Sequence, residues 1–420
     1  MISTALASVF CLVVSLIFSR RYASNMRLVK LDNLWEQIIW SIRIRQFQPT
    51  FPRTLAEWTV FVADDPTRQF QPGWDAWLFL KPFFASRGYT LYDKEGDFLM
   101  TLPHPQPVLG PATVRTYPYA RIIADDSQSE VENTYDLFLK NASIWGARDA
   151  KGRDVVIKII SDTDKPTDEW RVLQRLNNTK LRIDPANRTI HVIEFIKFDN
   201  FVFVVMPRWD CAFDPPFTVV SELMEVTMAY LEALNFLHTK RIAHMDIRMN
   251  NCGMNMYAGT DARYATTSMR KPKDVQYILY DFGYSMMYPT DTDISTVVLD
   301  RPLCYTHAPS PAGPYNPFKA DVSMMGGLLF GFVMHAAKAV PEVEPFFYRM
   351  MDLDEHKRLT ASQALDEFKR ILSGLSSAQL QTPVNSLWTN RFRSKLLPSL
   401  QEMQSRRVAT QEDDSDDDQA

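Results

Sequence analysis

Three side chains within the stretch IAHMDIRMNN, His244, Asp246 and Asn251, have the types that proton transfer and metal binding require. A carboxylate and an amide five positions apart in a loop can face one pocket, the first accepting a hydroxyl proton and the second holding a metal. Such residues are also common loop formers, so the stretch gains weight only in company. Asp281 supplies it, because it ends the apolar run Tyr277, Ile278, Leu279, Tyr280 and is followed by Phe282 and Gly283. An Asp at a strand end can reach a magnesium ion, Phe282 can pack inward, and Gly283 lets the backbone turn into the next loop. Upstream, Lys158 closes the run Val155, Val156, Ile157, and Glu169 opens EWRVLQRL, so a cation and a carboxylate can pair.

These residues need elements to hold them. Leu223, Val226, Tyr230, Leu231, Leu234 and Leu237 recur at helical spacing and predict an apolar helix that delivers the chain into the loop of His244. The β-branched run before Lys158 predicts a strand. Trp170, Leu173 and Leu176 give a helical stripe after Glu169. Phe201 to Val205 reads as a strand running into Met206, Pro207, Arg208 and Trp209, where Pro207 removes one amide donor.

Taken together the segments resemble a eukaryotic-type protein kinase. HMDIRMNN is similar to the catalytic loop H-R-D-L-x-x-x-N, with Met245 in place of the arginine and Ile247 of the leucine. DFG is present at Asp281, and VVIK matches V-A-I-K with Val156 where the family has alanine. YNPFKADVSMMGG carries Asp321 and Gly326 in a D-x-x-S-x-G pattern, and Arg358 stands where the family has an arginine in a C-terminal helix. The likeness covers about Asp136 to Leu372. HTKRIAHMDIRMNN, VQYILYDFGYS, PFFASRGYTLYD and DPPF further resemble divergent kinase-like proteins of mushroom-forming fungi.

The resemblance implies an α+β, bilobal fold: a small, mostly β N-lobe with one regulatory helix and a larger, mostly α C-lobe. It implies ATP and Mg2+ as cofactors, Asp246 as the base that orients the attacking hydroxyl, and Asn251 and Asp281 as metal ligands. Lys158, fixed by Glu169, would hold the phosphates. Ile144, Val156, Met206 and Trp209 would line the nucleotide, with Met206 to Trp209 as the link between lobes. Leu173 falls where the family stacks a core residue towards Phe282 and His244. Arg248, two positions after Asp246, favours Ser or Thr as acceptor in a protein substrate.

Several positions depart from the family. The phosphate-cradling glycines are missing from LFLKNASIWGARDAKGRDVVIK, leaving small Ala142 and Ser143 as a partial cradle. Met245 cannot pair with a phosphorylated loop. Ala308, Pro309 and Ser310 replace A-P-E, which leaves Arg358 without its carboxylate, and MYAGTDARYATTSMRKPKD reads as an exposed insertion. These departures keep open a second reading, a membrane-tethered pseudokinase used as a binding module. A small-molecule phosphotransferase is disfavoured by the D-x-x-S-x-G segment.

The 420 residues, 46% hydrophobic, suffice for two lobes with extensions. A net charge of -4 gives no basic field for nucleic acid, and four scattered cysteines signal neither zinc site nor disulfide framework. Ile2 to Ser19 carry no Asp, Glu, Lys, Arg or His and precede Arg20 and Arg21, which predicts a membrane anchor over residues 1–25 with the following chain in the cytosol, the alternatives being a cleaved signal peptide or a soluble cytoplasmic protein. Residues 26–130 read as an extension packed beside the catalytic unit, 131–209 as N-lobe and hinge, 210–375 as C-lobe. Residues 376–420 form a tail whose acidic end surrounds Ser415, a candidate phosphate acceptor.

Overall fold

A computed structural model describes residues 51–60, 70–95, 142–213, 217–258, 275–301 and 313–384, with shorter pieces at 38–40, 42–44, 46, 99–101, 117–123, 137–138 and 270. It is a mixed α+β structure built on an antiparallel sheet and a set of helices. The expected anchor at 1–25, the acidic end with Ser415, and Ala308 to Ser310 lie outside the described residues. Among the described residues no helix is long and apolar enough to cross a membrane.

Helix α1 (Gln71–Ser86) precedes β1 (Tyr89–Leu91), β2 (Ile144–Asp149) and β3 (Asp154–Asp162). Helix α2 (Asp168–Leu176) follows, then β4 (Glu194–Phe198) and β5 (Phe201–Pro207). The five strands order as β1-β2-β3-β5-β4, all antiparallel. Side chains alternate across a strand, so β3 and β5 serve two cores at once. Val155, Ile157, Ile159, Phe201, Phe203 and Val205 face an aromatic core, whereas Ile160, Val202 and Val204 join the core of the helical half.

Residues 51–58 and 70–92 contribute to the aromatic core. Trp77 stacks on Trp145 of β2 at 6.0 Å, Phe84 meets Phe203 at 5.3 Å, and Phe83 meets Phe198 at 4.6 Å. Offset and edge-on ring pairs add to the apolar burial itself. Strand β1, from the segment read as an extension, pairs with β2 and continues the sheet. Composition alone hid this, because a Trp- and Phe-rich stretch without a nucleotide pattern looks like a cap rather than half of a core.

The chain leaves β5 through Arg208 and Trp209 into β6 (Asp210–Cys211) and helix α3 (Val220–Thr239), whose buried positions include the predicted apolar stripe. Two short pairings follow: β7 (Ile242–Ala243) with β10 (Met286–Met287), and β8 (Cys252–Met254) with β9 (Tyr277–Leu279). Helices α4 (Pro317–Val333), α5 (Val343–Met350) and α6 (Ala361–Gly374) complete this half. At Gly326 of α4 an added Cβ would lie 2.9 Å from the Met350 Cβ of α5, a contact that real Cβ atoms do not make, so glycine permits that helix approach. Residues expected to begin the tail also join the core: Val384 is buried, and its amide donates to Thr218 O at 2.9 Å.

The insertion after Met254 is not simply exposed. Met256–Ala258 forms a strand parallel to Arg121–Ile123, and Arg270 is buried with its guanidinium 3.9 Å from the Phe217 ring centre. Arg270 donates to Ala212 O at 2.8 Å and to the Tyr277 hydroxyl at 3.1 Å. A Thr-, Ser- and Lys-rich composition signals solvent and cannot single out the one arginine that returns to the core.

Candidate active site

The β8–β9 register builds the first part of the site. Cys252 faces Leu279 and Met254 faces Tyr277, and the Tyr280 amide donates to Asn251 O at 3.1 Å. The hairpin therefore sets Asn251 beside the Tyr280-Asp281 junction however long the excursion at its far end is. The insertion costs the site nothing.

Asp246 is 1% exposed. Its Oδ2 accepts from Asn251 Nδ2 at 2.8 Å and from Arg248 Nη2 at 2.9 Å. The same Asn251 amide donates to Asp246 O at 2.8 Å, which locks the loop. Burial raises the Asp246 carboxyl above its ordinary value, Arg248 and the Asn251 amide pull it back, and the nearby Asp281 charge adds to the rise.

Asp321 is fully buried at the start of α4 and organises the same loop. Its carboxylate accepts from His244 N at 2.6 Å and Met245 N at 2.8 Å, with His238 Nε2 at 3.1 Å. Met245 has φ 65° and Asp281 φ 64°, the left-handed region that non-glycine residues avoid, so both sides of the site store local strain. His244 Nε2 lies 3.2 Å from Tyr280 O, which can only accept, so this nitrogen carries the hydrogen and Nδ1 accepts the Asp246 amide at 3.3 Å. The His244 and Phe282 rings meet at 5.2 Å, and Leu173 shares their core with Phe282.

The second part of the site comes from the sheet. The Thr167 hydroxyl caps α2 and accepts from Trp170 N, and Asp168 and Glu169 occupy the first turn, where the helix dipole favours carboxylates. Lys158 Nζ donates to Glu169 Oε1 at 2.6 Å and to Asp281 Oδ1 at 2.8 Å. Burial works against the ammonium, but Asp281 and Glu169 outweigh it and hold Lys158 above its ordinary value. The Lys158 charge in turn brings Asp281 down to about 2, while burial raises Glu169 against the pull of Lys158.

Ile144 stands opposite Lys158, and Val156 stands opposite Met206. Being two positions apart along β3, these rows share the sheet face that carries Lys158. The structure thus brings Lys158, Glu169, Asp281, Asp246 and Asn251 together, with Ile144, Val156 and Met206 on the sheet face that carries Lys158. Trp209 is different: its ring packs at 6.4 Å from Tyr117, and its indole N–H donates to Pro118 O at 2.7 Å. The Arg208 amide is also taken, by Asp154 O at 3.2 Å, so the link offers fewer donors than the missing Pro207 amide alone suggested.

Two expectations change. Ala142 does not offer a cradle: it is fully buried, and its carbonyl accepts from Trp58 Nε1 at 2.9 Å and Trp77 Nε1 at 2.7 Å. The small side chain fits under two tryptophans rather than under phosphate. Arg358, expected to lack its carboxylate partner, donates instead to Asp352 O at 2.8 and 2.9 Å and to Lys319 O at 2.9 Å. Backbone carbonyls replace the absent carboxylate.

Two supporting residues escaped the sequence reading. Ser285 Oγ donates to His244 O at 3.0 Å, and His238 joins Asp321. His238 had a signal, a polar ring in the last turn of an otherwise apolar stripe; Ser285 had none. Among the described residues no group of three or more His, Cys, Asp or Glu is placed to hold a metal by itself. No known family model matches the chain, and no curated protein matches it either.

Proposed function

We propose that these residues line a cleft that binds a nucleoside triphosphate with magnesium and passes its terminal phosphoryl group to a protein hydroxyl, in a bilobal arrangement of protein-kinase type. The observation that carries the reading is the meeting of two clusters, Lys158–Glu169–Asp281 and Asp246–Asn251–Arg248, across one hairpin. The donor set suits magnesium: one strongly acidic carboxylate at Asp281 and one amide oxygen at Asn251 leave the remaining positions to phosphate oxygens and water, as that ion prefers. Held there, the ion supplies positive charge against the phosphates.

Lys158 would add a fixed cation aimed by Glu169, and Asp246, oriented through Oδ2 by Asn251 and Arg248, would accept the proton of the acceptor hydroxyl. Burial that raises the Asp246 carboxyl makes it a better proton acceptor. Arg248 beside it would offset charge on the group in transit and favours Ser or Thr. Ile2 to Ser19 would tether the protein to a membrane, with ATP and an unidentified protein as its other partners.

A scaffold that performs no transfer is the second reading, favoured by one observation: Ala142 is committed to Trp58 and Trp77 instead of to a phosphate loop. Thermal unfolding with ATP, with and without magnesium, separates the two. A rise in midpoint that needs magnesium and is lost in Asp281→Asn supports the enzyme. No shift from ATP in either condition overturns it in favour of the scaffold.

A further inference from the structure

We propose that residues 117–123 act as a latch across the junction of the sheet half and the helical half, limiting how far the cleft between them opens. Tyr119 is buried in the aromatic core of the sheet, and Ala120 is buried in the larger core, which takes Ile160, Val202 and Val204 of the sheet as well as the helices. The Tyr119 ring lies 3.7 Å from the Arg153 guanidinium, which pairs with Asp149 at the β2–β3 turn. On the other side, Arg121–Ile123 runs parallel to Met256–Ala258, the strand that continues from the Asn251 hairpin.

Between these anchors the segment grips the link itself. Pro118 O accepts from the Trp209 indole, and the Tyr117 ring meets Trp209 at 6.4 Å and His191 at 5.7 Å. The main chain passes from sheet to helices through Pro207 to Asp210. A rotation about that link would draw Tyr119, held at the β2–β3 turn, away from residues 121–123, held on Met256–Ala258. Two residues of chain span only about 7 Å and cannot follow it, so either Tyr119 must leave its core or the pairing with Met256–Ala258 must open first. Local openings of this kind have a definite free energy and are visible in amide exchange. The inference needs no nucleotide in the cleft and stands apart from the proposed activity.

Hydrogen exchange on the full chain tests it at two link amides, Arg208 N, bonded to Asp154 O in the sheet half, and Ala212 N, bonded to Cys252 O in the helical half. Ala120→Glu places a charge where the residue is 1% exposed and should detach the latch. Trp209→Phe keeps a ring and removes only the bond to Pro118, so it remains informative if the first variant fails to fold. The latch predicts exchange at Arg208 and Ala212 faster by about tenfold in Ala120→Glu and by a smaller factor in Trp209→Phe, with the interior of α3 unchanged. Wild-type exchange at both link amides in the folded variants overturns the proposal, whether or not residues 121–123 and 256–258 loosen.

Discussion

Replacing Lys158 with methionine keeps the length of the side chain and removes the one cation shared by Glu169 and Asp281. Lys158 and Glu169 are each 8% exposed and the Asp281 side chain 28%, so the two carboxylates would be left facing each other with little water between them. Breaking a buried pair by deleting one partner costs about 3–5 kcal/mol. The Asp281 share can be worked separately: a carboxyl held at about 2 instead of 3.8, chiefly by the Lys158 charge, corresponds to about 2 kcal/mol. In wild type this contribution is complete above the ordinary carboxylate value and disappears as pH falls through about 2. In the variant the sign reverses, because crowded carboxyls titrate above their unfolded values and penalise folding at high pH. Urea unfolding should therefore show a loss of about 3–5 kcal/mol near pH 8, shrinking by about half near pH 5, and Lys158→Met/Asp281→Asn should be more stable than Lys158→Met. A loss under about 1 kcal/mol that does not vary with pH would refute the buried-pair reasoning.

Three further substitutions probe the framework. Gly73→Ala would set a methyl 2.5 Å from the Ala142 Cβ and against the Trp58 carbonyl, so a loss of about 3 kcal/mol in thermal or urea unfolding is expected. Asp321→Asn turns an acceptor of two backbone N–H groups into a partial donor, and should cost about 3 kcal/mol and raise amide exchange at His244 and Met245. Arg270→Met leaves Ala212 O and the Tyr277 hydroxyl short of a donor, at about 2 kcal/mol, and limited proteolysis should then cut residues 256–274 faster.

Much of the site was legible because its chemistry is local. A β-branched run ending in Lys158, an apolar stripe ending near His244 and an apolar run ending in Asp281 each fix where one polar group emerges. The register of β8 on β9 then does the joining, and it tolerates the long insertion between Asn251 and Asp281. What could not be read were pairings between distant segments that leave no periodic trace. Tyr89–Leu91 extends the sheet with only three residues, too few for their alternation to stand out, and the fate of Ala142 depends on Trp58 and Trp77, some 65 to 84 positions away. Arg358 illustrates the converse: absence of the expected acid said nothing about carbonyls within reach.

Transfer itself is the most direct measurement of the central claim. The full chain is incubated with γ-labelled ATP, magnesium and a mixture of acceptor proteins, beside Asp246→Asn, which keeps the shape of the side chain and cannot accept a proton. The account predicts label on serine or threonine with the wild-type chain and a fall of about 100-fold or more with the variant. Equal labelling by the two, or none by either under conditions where ATP binds, would contradict it.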